Sequence, residues 1–94
     1  AQALGVAQGA LDYAKDYVQE RKQFGKSIAK FQNTQFQLAD MKTEIEAARW
    51  LVYRAAVMKD AGKPYSTEDA MAKLKAAEVA SEVTRKAVQL MGGY

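Results

Sequence analysis

Residues 71–91 read Met71-Ala-Lys-Leu-Lys-Ala-Ala-Glu-Val-Ala-Ser-Glu-Val-Thr-Arg-Lys-Ala-Val-Gln-Leu-Met91, and within them Ala72, Ala76, Val79, Val83, Ala87 and Leu90 recur at steps of three and four. Side chains at that spacing fall on one face of an α-helix, whereas a half-buried strand needs a period of two. The stretch predicts a helix over about 67–91 with one buried face. Ser66, three residues ahead of Asp69, makes a capping-box-like start in which its hydroxyl accepts from orphan amides. Gly92 and Gly93 then permit the left-handed conformation at which helices end.

The same spacing occurs twice more toward the N-terminus. Leu38, Met41, Ile45, Ala48, Val52 and Ala55 predict a helix over about 32–61, and Leu4, Ala7, Leu11, Ala14 and Val18 predict another over about 2–21. Trp50, Tyr53 and Val57 form a second apolar strip on the middle helix, so contact with more than one neighbour is expected there. From Lys22 to Phe31, Gly25 interrupts the pattern and Phe24 and Phe31 flank a basic stretch, which reads as an ordered connection. Residues 62–65 hold the only proline and separate the second and third helices. Three antiparallel helices with short loops predict an all-α, up-down bundle in a single domain over 1–94. Ala1 already falls inside a helical pattern and Gly92-Gly93-Tyr94 opens a turn, so a piece of a longer protein is expected.

Composition narrows the chemistry. Ninety-four residues, 49% of them hydrophobic, support one small core. A net charge of +3, from 14 basic and 11 acidic residues, gives no ground for a nucleic-acid partner. Without cysteine or histidine the chain has no disulfide, thiolate nucleophile, imidazole base or Glu-x-x-His metal site. The longest uncharged run, Ala1 to Leu11, is too short and too rich in Ala and Gly to span a membrane, and no basic segment leads it as in a signal peptide. A cytoplasmic setting is expected.

Most candidate groups have a plain structural role. Glu44 and Glu46 are two apart on a helix and point in different directions, which favours a solvated face over paired catalytic carboxylates. Tyr13 and Tyr17, one turn apart, are expected to be half-buried packing residues rather than a stacking platform. Met41, Met58, Met71 and Met91 are expected to fill core gaps. Glu20-Arg-Lys-Gln-Phe-Gly-Lys26 is different. Helix-end cations complement the dipole and account for Arg21 and Lys22, but they leave Gln23-Phe24-Gly25 unexplained. Arginine also presents a planar fork to phosphate oxygens, so phosphate recognition remains open beside the structural role.

Four motifs occur in order: Glu20-Arg-Lys-Gln-Phe-Gly-Lys26, Phe31-Gln32, Gln35-Phe-Gln-Leu-Ala-Asp-Met41 and Gln89-Leu-Met-Gly-Gly-Tyr94. Together they resemble the C-terminal helical domain of acyl-CoA dehydrogenases along the whole chain. Ala1-Gln-Ala-Leu-Gly-Val-Ala-Gln-Gly-Ala-Leu11 and Ala47-Ala-Arg-Trp-Leu-Val-Tyr53 look most like the bacterial short-chain, butyryl-CoA type. The resemblance implies three helices of a four-helix bundle with the fourth missing. It also implies an FAD enzyme that oxidises an acyl-CoA to the trans-2-enoyl-CoA, passes electrons to an electron-transferring flavoprotein, and works in the bacterial cytoplasm as a homo-oligomer, a tetramer. Carried over by motif, Arg21 matches the arginine at the FAD pyrophosphate, with Gln23 and Phe24 beside it. Gln32 matches a second FAD contact. Gln89, Leu90, Met91, Gly92 and Gly93 match the turn whose backbone closes over the ADP part.

No residue here matches the family's catalytic glutamate, neither the one in a Tyr-Glu-Gly-Thr-like motif nor the alternative base. The resemblance therefore assigns no catalytic residue, and the 94-residue chain alone is expected neither to retain FAD nor to oxidise substrate. The alternative reading is a stand-alone or engineered helical oligomerisation module without activity. On either reading the apolar strips are expected to draw copies together.

Overall fold

The computed structural model describes residues 2–22 and 28–92, and side chains over 2–20 and 32–92. Three helices follow in order: α1 (Gln2–Lys22), α2 (Ile28–Asp60) and α3 (Ser66–Gly92). The fold is all-α, and among the described residues no helix is long and apolar enough to cross a membrane. Around the cavities, Gln8 of α1 lies by Lys42 of α2 while Val18 lies by Gln35. Val52 and Lys59 lie with Tyr65 to Ala76, and Met41 with Glu78 to Lys86. Each helix thus runs antiparallel to the one before it, in a rod 55 Å long.

The core is the set of stripes read from the periodicity. All five residues expected from α1 and all six from α3 are buried, as are Leu38, Met41, Ile45, Ala48 and Ala55 of α2. Val52 is half-buried and packs on the cluster from its edge. Thr34, one turn before Leu38, extends the buried face of α2 although it is polar. Leu11, Met41 and Ile45 are the largest fully buried side chains, while Ala7, Ala14, Ala76 and Ala87 keep the α1 and α3 faces thin enough for close approach. Accordingly α3 packs extensively on both other helices, and α1 and α2 meet each other less.

Several expectations require correction. The second helix begins at Ile28, not near Gln32, so residues 28–31 of the expected connection are helical. Ile28-Ala-Lys-Phe31 contains no Gly or Pro, and nothing after Gly25 interrupts helix formation. At α3 the Asp69 N–H donates to the Tyr65 carbonyl at 2.8 Å, which puts Tyr65, not Ser66, at the cap position. Ser66 is instead the first helical residue, followed by Glu68 and Asp69, whose charge suits a helix N-terminus. Tyr13 is 67% exposed rather than half-buried, because it lies opposite the Leu11–Ala14 stripe; Tyr17 is half-buried. Of the methionines only Met41 fills the core; Met58 and Met91 are half-buried at the edge of their stripes and Met71 is exposed. Among the described residues no neighbouring helix covers Trp50, Tyr53 and Val57, which stay exposed.

The end of α2 shows why a glycine is needed there. Gly62 has φ of 72°, its N–H donates to the Lys59 carbonyl at 3.1 Å, and the next N–H, from Lys63, reaches back to Met58 at 3.0 Å. Those two bonds satisfy orphan carbonyls of the last turn, and Pro64 prevents the helix from resuming at once. A Cβ at Gly62 would meet no atom within 4 Å, so the requirement is purely one of backbone conformation. Further along, Lys75 of α3 donates to Glu44 of α2 at 2.8 Å and lies 3.7 Å from Glu78. The Glu44 hydrogen bond raises the Lys75 pKa above its ordinary value.

Two glycine substitutions should therefore move stability in opposite directions. Gly62→Ala should cost about 1–2 kcal/mol, the penalty of a left-handed L-residue. Gly9→Ala, at an exposed position inside α1 with open space around it, should add about 0.5–1 kcal/mol. Urea midpoints at fixed protein concentration test both, and equal signs would refute the account. For the α2–α3 pair, a raised lysine pKa means a contribution present below the ordinary lysine value and lost as pH rises through the raised one. Glu44→Gln should thus cost no more than about 1 kcal/mol at pH 7, as exposed pairs do. The difference from the parent chain should shrink above about pH 10.4, the ordinary lysine range; a difference that grows there would contradict the assignment.

Candidate functional site

Antiparallel order brings the end of α1, the start of α2 and the end of α3 to one end of the rod. Three stretches far apart in sequence therefore share a neighbourhood: Arg21 in the last turn of α1, Gln32 near the start of α2, and Gln89, Leu90, Met91 and Gly92 in the last turn of α3. Gln32 and Gln89 are exposed, Met91 is half-buried, and Leu90 is buried in the core, so Leu90 offers its backbone rather than its side chain. Gly92 is open, with no atom within 4 Å of where a Cβ would stand. Gln23, Phe24 and Gly93 lie outside the described residues, as does the Arg21 side chain.

This end combines opposed local fields. The last turns of α1 and α3 present carbonyls, while the first turn of α2 presents unsatisfied N–H groups that favour an anion. Close by, a cavity of about 250 Å³ opens between α1 and α2. Leu11, Val18 and Leu38 floor it, and Lys15, Gln19, Gln35 and Lys42 rim it. Sequence reasoning passed over these rim residues. The signal was available, because Lys15 and Gln19 lie four residues after Leu11 and Lys15 on the flank of the buried stripe, which makes them border positions.

Farther from that end a polar network braces α1 against α2. Gln8 donates to Asp12 at 2.9 Å and accepts from Lys42 at 3.4 Å and Arg49 at 3.3 Å. Lys42 and Arg49 also flank Glu46, at 3.1 and 3.8 Å. Glu44 turns the other way, to Lys75, so the two glutamates do not converge. Arg85 holds Glu82 with a hydrogen bond that lowers its carboxyl pKa. Among the described residues no three Asp or Glu side chains gather as metal ligands. These charges brace helices; among the described residues they assemble no acid–base pair.

Residues 1–94 match the family described as acyl-CoA dehydrogenase, C-terminal domain. The short-chain specific acyl-CoA dehydrogenase of Clostridium acetobutylicum is 58% identical over 94 residues, covering 100% of this chain and 25% of that protein. Butyryl-CoA dehydrogenase from Megasphaera elsdenii has a solved structure that superposes with a TM-score of 0.89 at 55% identity, over 99% of this chain and 24% of that one. A chain in the structure of the electron transferring flavoprotein of Acidaminococcus fermentans superposes with a TM-score of 0.88 at 62% identity, over 99% of this chain and 24% of that one. The chain spans about a quarter of the length of the curated relatives it matches. With its bundle superposed on theirs and its sequence matched from first residue to last, the chain belongs to the acyl-CoA dehydrogenase family, within that family's C-terminal domain.

Proposed function

We propose that this chain is the cofactor-contacting and subunit-joining segment of an FAD-dependent enzyme that oxidises a short-chain acyl-CoA to the trans-2-enoyl-CoA in the bacterial cytoplasm. The observation that carries the reading is the meeting of positions 21, 32 and 89–92 at one end of the bundle, where a helix N-terminus favours an anion. A donor set of one guanidinium, two carboxamides and a glycine-ended helix suits a diphosphate with attached rings.

In that reading Arg21 binds pyrophosphate oxygens through its fork, and Gln23 and Gln32 supply neutral donors that orient the same group. Phe24 lies along an apolar part of the cofactor. The backbone from Gln89 to Gly93, unobstructed by a Cβ at Gly92, closes over the ADP portion. When bound, FAD accepts the hydride taken from the substrate's β-carbon. The chain's own groups bind and orient; the proton is removed by a base that none of these residues supplies. Electrons leave to an electron-transferring flavoprotein, and the enzyme works as a homo-oligomer, a tetramer. An inactive oligomerisation module is less well supported, since a bare bundle requires only its apolar pattern, and 58% identity to an enzyme reaches far beyond the buried positions.

Replacing the matching quarter of the Clostridium acetobutylicum enzyme with this chain provides the test. The chimera should retain flavin and oxidise butyryl-CoA, whereas its Arg21→Ala form should lose flavin with little change in folding. A helix-end cation contributes about 0.3–1 kcal/mol to stability, but a charge-assisted contact about 1.5–3 kcal/mol, which is about ten- to more than a hundredfold in affinity. Unchanged flavin content in Arg21→Ala would return Arg21 to a purely structural role.

A further inference from the structure

We propose that the cavity between α1 and α2 binds a short aliphatic carboxylate, with its head group at Lys15, Gln19 and Gln35 and its tail along Leu38, Leu11 and Ala39. The site shares no residue with those assigned to the flavin and does not depend on that assignment.

The lining divides by chemistry. Leu11, Val18 and Leu38 come from the two buried stripes and make an aliphatic floor, with Ala39 at its edge. Every polar side chain on the rim carries N–H donors: Lys15 and Gln19 from α1, Gln35 and Lys42 from α2, and Gln8 at the far end. Among the described residues no Asp or Glu lines the cavity, although the chain carries eleven. Two ammonium groups on one small cavity, with no carboxylate in its lining, give it a field that favours an anion.

The two ends of the cavity differ. At one, Gln8 already accepts from Lys42 at 3.4 Å, and Lys42 also lies 3.1 Å from Glu46. At the other, Lys15, Gln19 and Gln35 enter no hydrogen bond or ion pair among the described residues. Antiparallel packing puts these three together, since Lys15 and Gln19 are one turn apart on α1 and Gln35 stands on the α2 side of the same cavity. They offer one ammonium and two carboxamides to an incoming acceptor. A carboxylate has two oxygens and about four lone-pair sites, enough to accept from all three. From that corner the floor continues through Leu38, Leu11 and Ala39 toward Gln8, which gives an aliphatic tail its path.

Size and floor select among ligands. At about 250 Å³ the cavity lies below the range of about 300–1,000 Å³ that holds drug-sized molecules, so it is too small for a whole dinucleotide or acyl-CoA. Inorganic phosphate would satisfy the rim but leave the aliphatic floor facing water, and an alkylammonium would set its charge against Lys15 and Lys42. A short carboxylate meets both parts of the lining. It also joins α1 to α2, the helices that share the lesser contact of the bundle.

Hexanoate carrying a terminal trifluoromethyl group, titrated into the chimera described above and followed by fluorine NMR, tests the site. It should bind saturably at millimolar concentration, and hexanamide and hexylamine should fail to displace it. Unlabelled acetate, butanoate and hexanoate should displace it with affinity rising about two- to fourfold per methylene, fourfold being full burial of one CH₂. Gln19→Glu, which sets a carboxylate at the head-group corner, and Lys15→Met should each weaken binding about tenfold or more, as loss of a charge-assisted hydrogen bond does. Both should leave the flavin content of the chimera unchanged. Equal affinity for acetate and hexanoate, or displacement by inorganic phosphate as readily as by hexanoate, would mean general attraction to surface lysines and overturn the site. Binding that both variants leave intact overturns it too, because the ligand then sits elsewhere in the enzyme. So does absence of binding to the chimera, which would mean that another part of the enzyme covers the groove.

Discussion

The burial of one narrow stripe on α3 is the constraint on which the rest of this structure depends. Ala72, Ala76, Val79, Val83, Ala87 and Leu90 make the face that packs on both other helices, while α1 and α2 share a lesser contact. Because the stripe is mostly Ala and Val, two helices can lie against it at once without large side chains forcing them apart. Leu11, Met41 and Ile45 fill the remaining centre. Removing the stripe would leave α1 and α2 joined only by their lesser mutual contact and by the Gln8 network, whose members are exposed or half-exposed and individually weak.

That constraint explains why so much of the fold was legible in the sequence. Burial repeats with the helical period wherever a helix has one covered face, so Leu4 to Val18 and Ala72 to Leu90 could be named residue by residue. The rule failed where the backbone and not burial sets the outcome. Whether α2 begins at Ile28 or Gln32 depends on where Gly25 ends its influence, and whether Tyr65 or Ser66 caps α3 depends on how the chain leaves Pro64. The helix end at Gly62 was visible as a Gly-x-Pro break, but its two reaching-back hydrogen bonds were not, since they follow from a positive φ. Periodicity also says nothing about what lies outside the chain. Trp50, Tyr53 and Val57 are apolar at regular spacing, yet among the described residues no neighbour covers them.

The candidate site was legible in a different way. Composition and spacing singled out Arg21 and its neighbours without deciding between a dipole partner and a phosphate ligand, because both need a cation at a helix end. Only the resemblance joined Gln32 and Gln89 to Gly93 with them. What the fold adds is proximity: antiparallel connection makes three helix termini neighbours, although their residues are spread along the chain. Lys15 and Gln19 drew no attention, and Gln35 entered only as part of a motif, because each, taken alone, is an ordinary border residue. They become a rim only when α1 and α2 are set side by side around Leu11, Val18 and Leu38.

On the proposed reading, assembly and cofactor binding both involve α2. Its first turns carry Gln32 at the cofactor end, and its outward row from Phe36 to Val57 begins about one turn later. A helix of 33 residues covered along that row would have little freedom to tilt at its start, so whatever covers the row also fixes where the α2 N-terminus points. On the reading proposed above the enzyme is a homo-oligomer that binds FAD, and a ligand that binds only the assembled form stabilises it by mass action. The linkage is reciprocal: a change that loosens the α2 row should weaken flavin retention without touching a cofactor contact, and loss of flavin should loosen the oligomer to the same degree in free energy.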